Sequence, residues 1–247
     1  MQCSPVPELR VIPVEGLPEV AEGDDLAALV ADRVALEDRD VVVVSQKAVS
    51  KAEGRVVRLD AVEPSAAALD LAAGDDPRRL EVVLREAARI VRTRPPLVIA
   101  ETRHGFVCAS AGVDESNAPE AGTVVLLPVD PDASAETIRR RLHELTGCQV
   151  GVVISDSFGR PFRNGIVDVA IGTAGITPLV DLRGQVDPAG HELHATVVAV
   201  ADEIASAAEL AMGKLAGIPV AVVRGIDVAG EGRASELVMP PERDLFR

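Results

Sequence analysis

Three short runs in this sequence, VVVV at 41–44, GVVI at 151–154 and VAVV at 220–223, are apolar at nearly every position. A strand with one wet face alternates apolar and polar residues, so runs without alternation need cover on both faces. They belong inside a sheet. Each also empties into a stretch rich in polar residues or glycine, and strand ends of this kind are where ligands commonly sit.

The chain between them supplies helices and further strands. Residues 10–14 read as a first strand, and Asp24 and Asp25 can cap a helix carrying Leu26, Leu29, Val30 and Val34 at helical spacing. Residues 64–92 read as two helices broken at Gly74-Asp75-Asp76-Pro77, with Leu80, Val83, Leu84, Ala87, Ile90 and Val91 as one apolar stripe. Pro95-Pro96 would end the second of them, and 97–101 with 106–109 form a hairpin turning at Arg103-His104-Gly105. Residues 124–127 form a strand, and Ser134 caps a helix that Gly147 stops. Residues 166–171 alternate less cleanly, and an Ala-rich helix spans 195–215. Strands and helices intersperse without strict βαβ regularity, so the expectation is an α+β fold with mixed sheets. Residues 1–247 are expected to form a single catalytic unit, with two intertwined subdomains as an option.

Charge and composition narrow the function. Twenty-five Lys and Arg against 39 Asp and Glu leave a net charge of −14, which repels nucleic acid and anionic membrane alike. With four Phe and no Trp or Tyr, aromatic platforms for bases are scarce. No run approaches a membrane span and no leader pattern opens the chain, so a cytoplasmic location is expected. Cys3, Cys108 and Cys148 are widely separated and form no C-x-x-C, which suits reduced, structural thiols better than a zinc site.

Three loops carry the candidate chemistry. SDSFGRPFRNG at 155–165 offers Asp156 as a hard oxygen ligand, Ser157 as a hydroxyl, and Arg160 and Arg163 as fixed cations. Asp168 follows close by, beside the arginines. SQKAVSKAEG at 45–54 brings two lysines, two hydroxyls and an amide directly after an apolar strand, which reads equally as an anion site or as a solvated loop or short helix. AGVDESN at 111–117 is a second metal-site candidate, although Asp, Ser and Asn are also common turn formers. No Walker P-loop occurs anywhere in the chain. His191 and His194 do not form H-E-x-x-H.

Taken together, VEGLPE at 14–19, SQKAVSKAEGR at 45–55, AGVDESN, SDSFGRPFRNG, ADE at 201–203 and VVRGIDVAGEG at 222–232 resemble one family. It is the family of gamma-glutamyl ligases that add glutamate to the unglutamylated precursor of the deazaflavin coenzyme F-420. The resemblance implies a GTP-dependent ligase that forms an amide between L-glutamate and the precursor's lactyl carboxylate, and that can extend a γ-linked tail. It implies Mn²⁺ or Mg²⁺, two ions, with K⁺ as a further candidate, and a homodimer. Asp114, Asp156 and Ser157 would hold the metals. Leu17, Pro18, Glu19, Val20, Gln46, Lys51 and Asn117 would line the GTP site together with Met212, Gly213, Lys214, Leu215, Ala216, Gly217 and Ile218. Lys214 departs from relatives that carry a carboxylate after the Met-Gly pair, so the coordination of a second ion stays open. Arg160 and Arg163 would clamp either the acceptor's phosphodiester or the γ-phosphate. The flavin-reductase-like module fused to some relatives is not expected here. The rival readings are another metal-dependent amide ligase or phosphoryl transferase, and a non-catalytic nucleotide-binding regulator.

Overall fold

A computed structural model describes residues 8–245, so the Cys3 expectation lies outside the described residues. In chain order the elements are β1 (Arg10–Pro13), α1 (Leu26–Ala31), β2 (Val41–Ser45), α2 (Gln46–Ala52), β3 (Val56–Arg58), α3 (Ala66–Ala72), α4 (Pro77–Glu86), β4 (Ala87–Arg94) and β5 (Leu97–Thr102). They continue with β6 (Val107–Ala109), β7 (Thr123–Val125), α5 (Pro131–Thr146), β8 (Gly151–Arg160), β9 (Arg163–Ala174), β10 (Val180–Asp181), β11 (Val197–Val198), α6 (Val200–Met212) and β12 (Val220–Arg224).

The three apolar runs lie side by side. The main sheet has the order β1-β12-β2-β8-β9, with β2 and β8 parallel and its other neighbours antiparallel. Side chains alternate between its faces: Val42, Val44, Val152, Ile154, Val220 and Val222 pack under α1, α2 and α5, while Val41, Val43, Val153, Ala221 and Val223 pack under α6. That two-sided cover is why these strands lack a polar face. Gly172 lets α5 seat against β9, because a Cβ there would lie 2.4 Å from the Pro131 carbonyl oxygen. Buried Asp40 receives two hydrogen bonds from Arg224, at 2.8 and 2.7 Å, pinning the end of β12 to the start of β2. Residues between β3 and β7 build a second core, in which Leu80, Val83, Val98, Ala100, Val124 and Leu126 are buried. That core is wrapped by the three-stranded sheet β4-β5-β6 and the pair β3-β7. The fold is α+β with mixed and antiparallel sheets, as the sequence leads one to expect.

Four local expectations are corrected. The helix expected to run to residue 92 stops at Glu86, and Ala87–Arg94 is a strand paired antiparallel with β5. Its Ile, Val and Thr residues suit a pleated surface, and pairing with β5 satisfies their backbone. The cap of α5 is Asp130, which accepts from the Ala133 N–H; Ser134 lies inside the helix and bonds back to the Asp130 carbonyl. The Ala-rich helix starts at Val200, since Val197–Val198 pairs with β10. The segment 155–165 is no loop at a strand end: β8 runs through Asp156 and Ser157 to Arg160 and returns as β9 after a two-residue turn.

Candidate active site

The site lies at one end of the main sheet, and the register explains why. Ser45 pairs with Ser155 where β2 and its parallel pairing with β8 finish, and Val44 pairs with Val220 where antiparallel β12 begins. Pro13 pairs with Ala221, so the chain leaving β1 arrives at the same end. Four segments far apart in sequence, beginning near residues 17, 45, 155 and 212, therefore converge. Between them is a cleft of about 360 Å³.

Of the residues expected at the nucleotide, Leu17, Pro18, Glu19, Val20, Gln46, Lys51, Asn117, Met212, Gly213, Lys214, Leu215, Gly217 and Ile218 all line this cleft, and Ala216 does not. Asp156 and Ser157 line it as well. They also form a wall of a second cleft of about 450 Å³, to which Asp114, Glu115, Asp75, Arg79 and Cys108 contribute. Two clefts thus share one carboxylate and one hydroxyl.

Each lysine of the first cleft is held by an acid. Lys51, nearly buried, pairs with Glu19. Lys47 donates to Asp114 Oδ2 at 2.7 Å and to Ser116 Oγ at 2.5 Å. Lys214 donates to Ser157 Oγ and to Asp168 Oδ1 at 3.1 Å, and lies 3.5 Å from Glu209 Oε1. Buried Asp168 gathers this corner, because it also accepts from Ser155 Oγ at 3.0 Å and Ser157 Oγ at 2.6 Å across the β8–β9 ribbon. Gln46 spends its amide donors on Ser50 Oγ and the Leu126 carbonyl, which ties α2 to the end of β7.

Electrostatics single out Asp156. Burial pushes its carboxyl up to about 7, against an ordinary 3.8, and the negative charges of Asp168 and Asp114 add to the rise while Lys47 opposes it. Burial also works to raise Asp114, but hydrogen bonds from Lys47 and Ser116 outweigh it and hold that carboxyl low. Burial drives the Cys108 thiol up to about 12, with Asp156 adding to it, so this cysteine is inert at neutral pH.

Asp156, Asp114 and Ser157 are all oxygen donors, the set that Mg²⁺ or Mn²⁺ prefers. Among the described residues no three His, Cys, Asp or Glu side chains converge into a ready cage. Two carboxylates and a hydroxyl are a protein share with which Mg²⁺ is commonly held when water and phosphate complete its shell. The chemistry of the residues present therefore accommodates the metal.

The two arginines expected at the site line neither cleft. Arg160 and Arg163 face each other across the tip of the β8–β9 ribbon, where Arg160 donates to the Asn164 carbonyl at 3.0 Å. Sequence reasoning underrated Lys47, Asp168 and Glu209. A lone acid in the apolar stretch IVDVAI was the available signal for Asp168; Glu209 sits on the polar side of an ordinary helix and gave none.

Comparison with known proteins decides the family, because the description F420-0:Gamma-glutamyl ligase matches residues 16–225. The chain belongs to that family. Among its relatives is the coenzyme F420:L-glutamate ligase of Methanopyrus kandleri, 50% identical over 98% of this chain and 99% of the relative. Proteins of the same name from Archaeoglobus fulgidus, 48% identical over 97% and 96%, and from Methanothermobacter thermautotrophicus, 45% identical over 97% and 99%, are similar throughout. Membership makes this chain a ligase enzyme. No helix among the described residues is long and apolar enough to cross a membrane.

Proposed function

We propose that this protein joins L-glutamate to the lactyl carboxylate of the unglutamylated F-420 precursor, using GTP and Mn²⁺ or Mg²⁺, by way of an acyl phosphate. The observation that carries the reading is the pair of clefts meeting at Asp156 and Ser157, one lined by Lys47, Lys51 and Lys214 and the other by acids around Arg79. Three lysines line the first cleft beside Glu19, Asp156, Asp168 and Glu209, so a triphosphate there calls for a divalent ion as well as the lysines.

A carboxylate does not condense with an amine unaided, because it has no adequate leaving group. In the first step a carboxylate oxygen attacks the γ-phosphorus, the bond to the β-bridging oxygen breaks, and GDP departs. In the second the amine nitrogen of glutamate, its ammonium proton released to solvent, attacks the acyl carbon. The bond from that carbon to the bridging oxygen breaks, and inorganic phosphate leaves with that oxygen and takes up the nitrogen's second proton. The first step brings two anions together, so catalysis is chiefly positioning and charge neutralisation. Lys51 and Lys214 supply fixed positive charge along the triphosphate, and Asp168 with Glu209 orients Lys214. Asp156, Asp114 and Ser157 would hold the divalent ion, which neutralises phosphate charge when bound. Arg160 and Arg163, at the ribbon tip, are assigned to the acceptor's phosphodiester, and a homodimer in the cytoplasm is part of the same reading.

The test is mass spectrometry of the purified protein with precursor, glutamate, GTP and Mn²⁺. The expected product is the precursor plus one or more glutamyl residues, lost when any component is omitted. GTP hydrolysis indifferent to glutamate and precursor would favour a regulator or another transferase.

A further inference from the structure

Lys47, a lysine of the nucleotide cleft, is bonded to the carboxylate of one proposed metal ligand, Asp114, whereas Lys214 is bonded to the hydroxyl of another, Ser157. The Lys47 ammonium sits 2.7 Å from Asp114 Oδ2 while the side chain also lines the cleft. Both oxygens of Asp114 are in use: Oδ1 accepts the Ser116 N–H at 2.8 Å, and Oδ2 accepts Lys47 and the Ser116 hydroxyl at 2.9 Å. A divalent cation approaching Asp114 at Oδ2 meets a resident positive charge. Two cations cannot crowd one oxygen without strong repulsion.

We propose that Lys47 and the divalent ion compete for the Asp114 carboxylate, and that the displaced ammonium turns into the cleft to bind the triphosphate. Metal arrival then frees a phosphate-binding cation at the position where the metal-bound nucleotide needs it. The lysine stem is flexible and its side chain keeps 21% exposure, so the swing requires no backbone movement. Lys51, paired with Glu19 instead, has no such competitor and serves as the control. Lys47 is thus a positioning and phosphate-binding residue whose availability depends on the metal. This rests on the metal reading given above.

The experiment measures Mn²⁺ binding to the full chain by electron paramagnetic resonance, without nucleotide, and GTP binding by calorimetry with Mn²⁺ present. Lys47→Gln should bind Mn²⁺ more tightly and GTP more weakly, each by on the order of tenfold. Lys51→Gln should weaken GTP binding and leave Mn²⁺ affinity unchanged. Lys47→Arg, which keeps the charge and guards against a folding artefact, should bind Mn²⁺ no more tightly than wild type. A purely structural Lys47–Asp114 pair would not give opposite signs for the two ligands. Unchanged or weaker Mn²⁺ binding by Lys47→Gln, with binding lost in Asp156→Asn, overturns the competition alone; so does unchanged GTP affinity in Lys47→Gln. Equal Mn²⁺ binding by wild type and Asp156→Asn overturns the metal reading as well.

Discussion

Asp156→Asn should make the protein more stable in EDTA at pH 8 while abolishing its activity. The folded carboxyl titrates near 7 and an ordinary aspartate near 3.8. The folded chain therefore keeps a proton that the unfolded chain has already released. This group's contribution to stability is complete below about pH 4 and is lost as pH rises through 7. From pH 5 to the folded value is about two units, and at ~1.36 kcal/mol per unit wild type loses about 3 kcal/mol that the amide variant does not. Partial solvent access at Asp156 reduces this, leaving about 1–3 kcal/mol. Asp202 and Glu209, also raised by burial, are present in both proteins and cancel in the difference. Urea unfolding of both proteins at pH 5 and pH 8 reads the gap directly. A gap that does not widen with pH, or a variant less stable than wild type at pH 8, refutes the reasoning. Added Mn²⁺ should then stabilise wild type at pH 8 and leave the variant unmoved.

Other outcomes follow from the same geometry. Asp40→Ala removes a buried carboxylate that accepts from Arg224 and from the Glu37 N–H, leaving Arg224 only Glu37 and the Ala35 carbonyl, and should cost about 1–3 kcal/mol in urea unfolding. Gly112→Ala combines a φ of +75° with a Cβ 2.6 Å from Leu127 Cγ; thermal unfolding should show a loss of more than about 1 kcal/mol. Lys214→Ala should lower GTP affinity and leave Asp168 without its cation, visible by calorimetry as weaker binding that Lys214→Arg partly restores. Arg160→Ala and Arg163→Ala, which line neither cleft, should leave GTP affinity unchanged and raise KM for the precursor; a loss of GTP binding would move them to the γ-phosphate.

The legible parts of this chain were those dictated by local chemistry. Runs such as VVVV announced buried strands, Asp25 and Gly147 marked helix ends, and the residues around positions 17, 46, 51 and 212 could be assembled into one cleft by resemblance. What misled was polarity read as irregularity. SDSFGR looks like a turn because its residues favour turns, yet pairing with β9 makes it strand, and that pairing is a long-range fact. The same holds for Ala87–Arg94, where a helical stripe and a strand pattern coexist and β5 decides. The role of Asp168 was hidden because its partners come from elsewhere in the chain, Ser155 and Ser157 from β8 and Lys214 from the bend after α6.

The central claim is that one reaction centre activates a carboxylate with GTP before glutamate attacks. It is tested most directly by supplying precursor labelled with ¹⁸O in both oxygens of the lactyl carboxylate and analysing the inorganic phosphate released. The account predicts one labelled oxygen in each phosphate and the other in the amide carbonyl. Glutamylated product accompanied by unlabelled phosphate would contradict it.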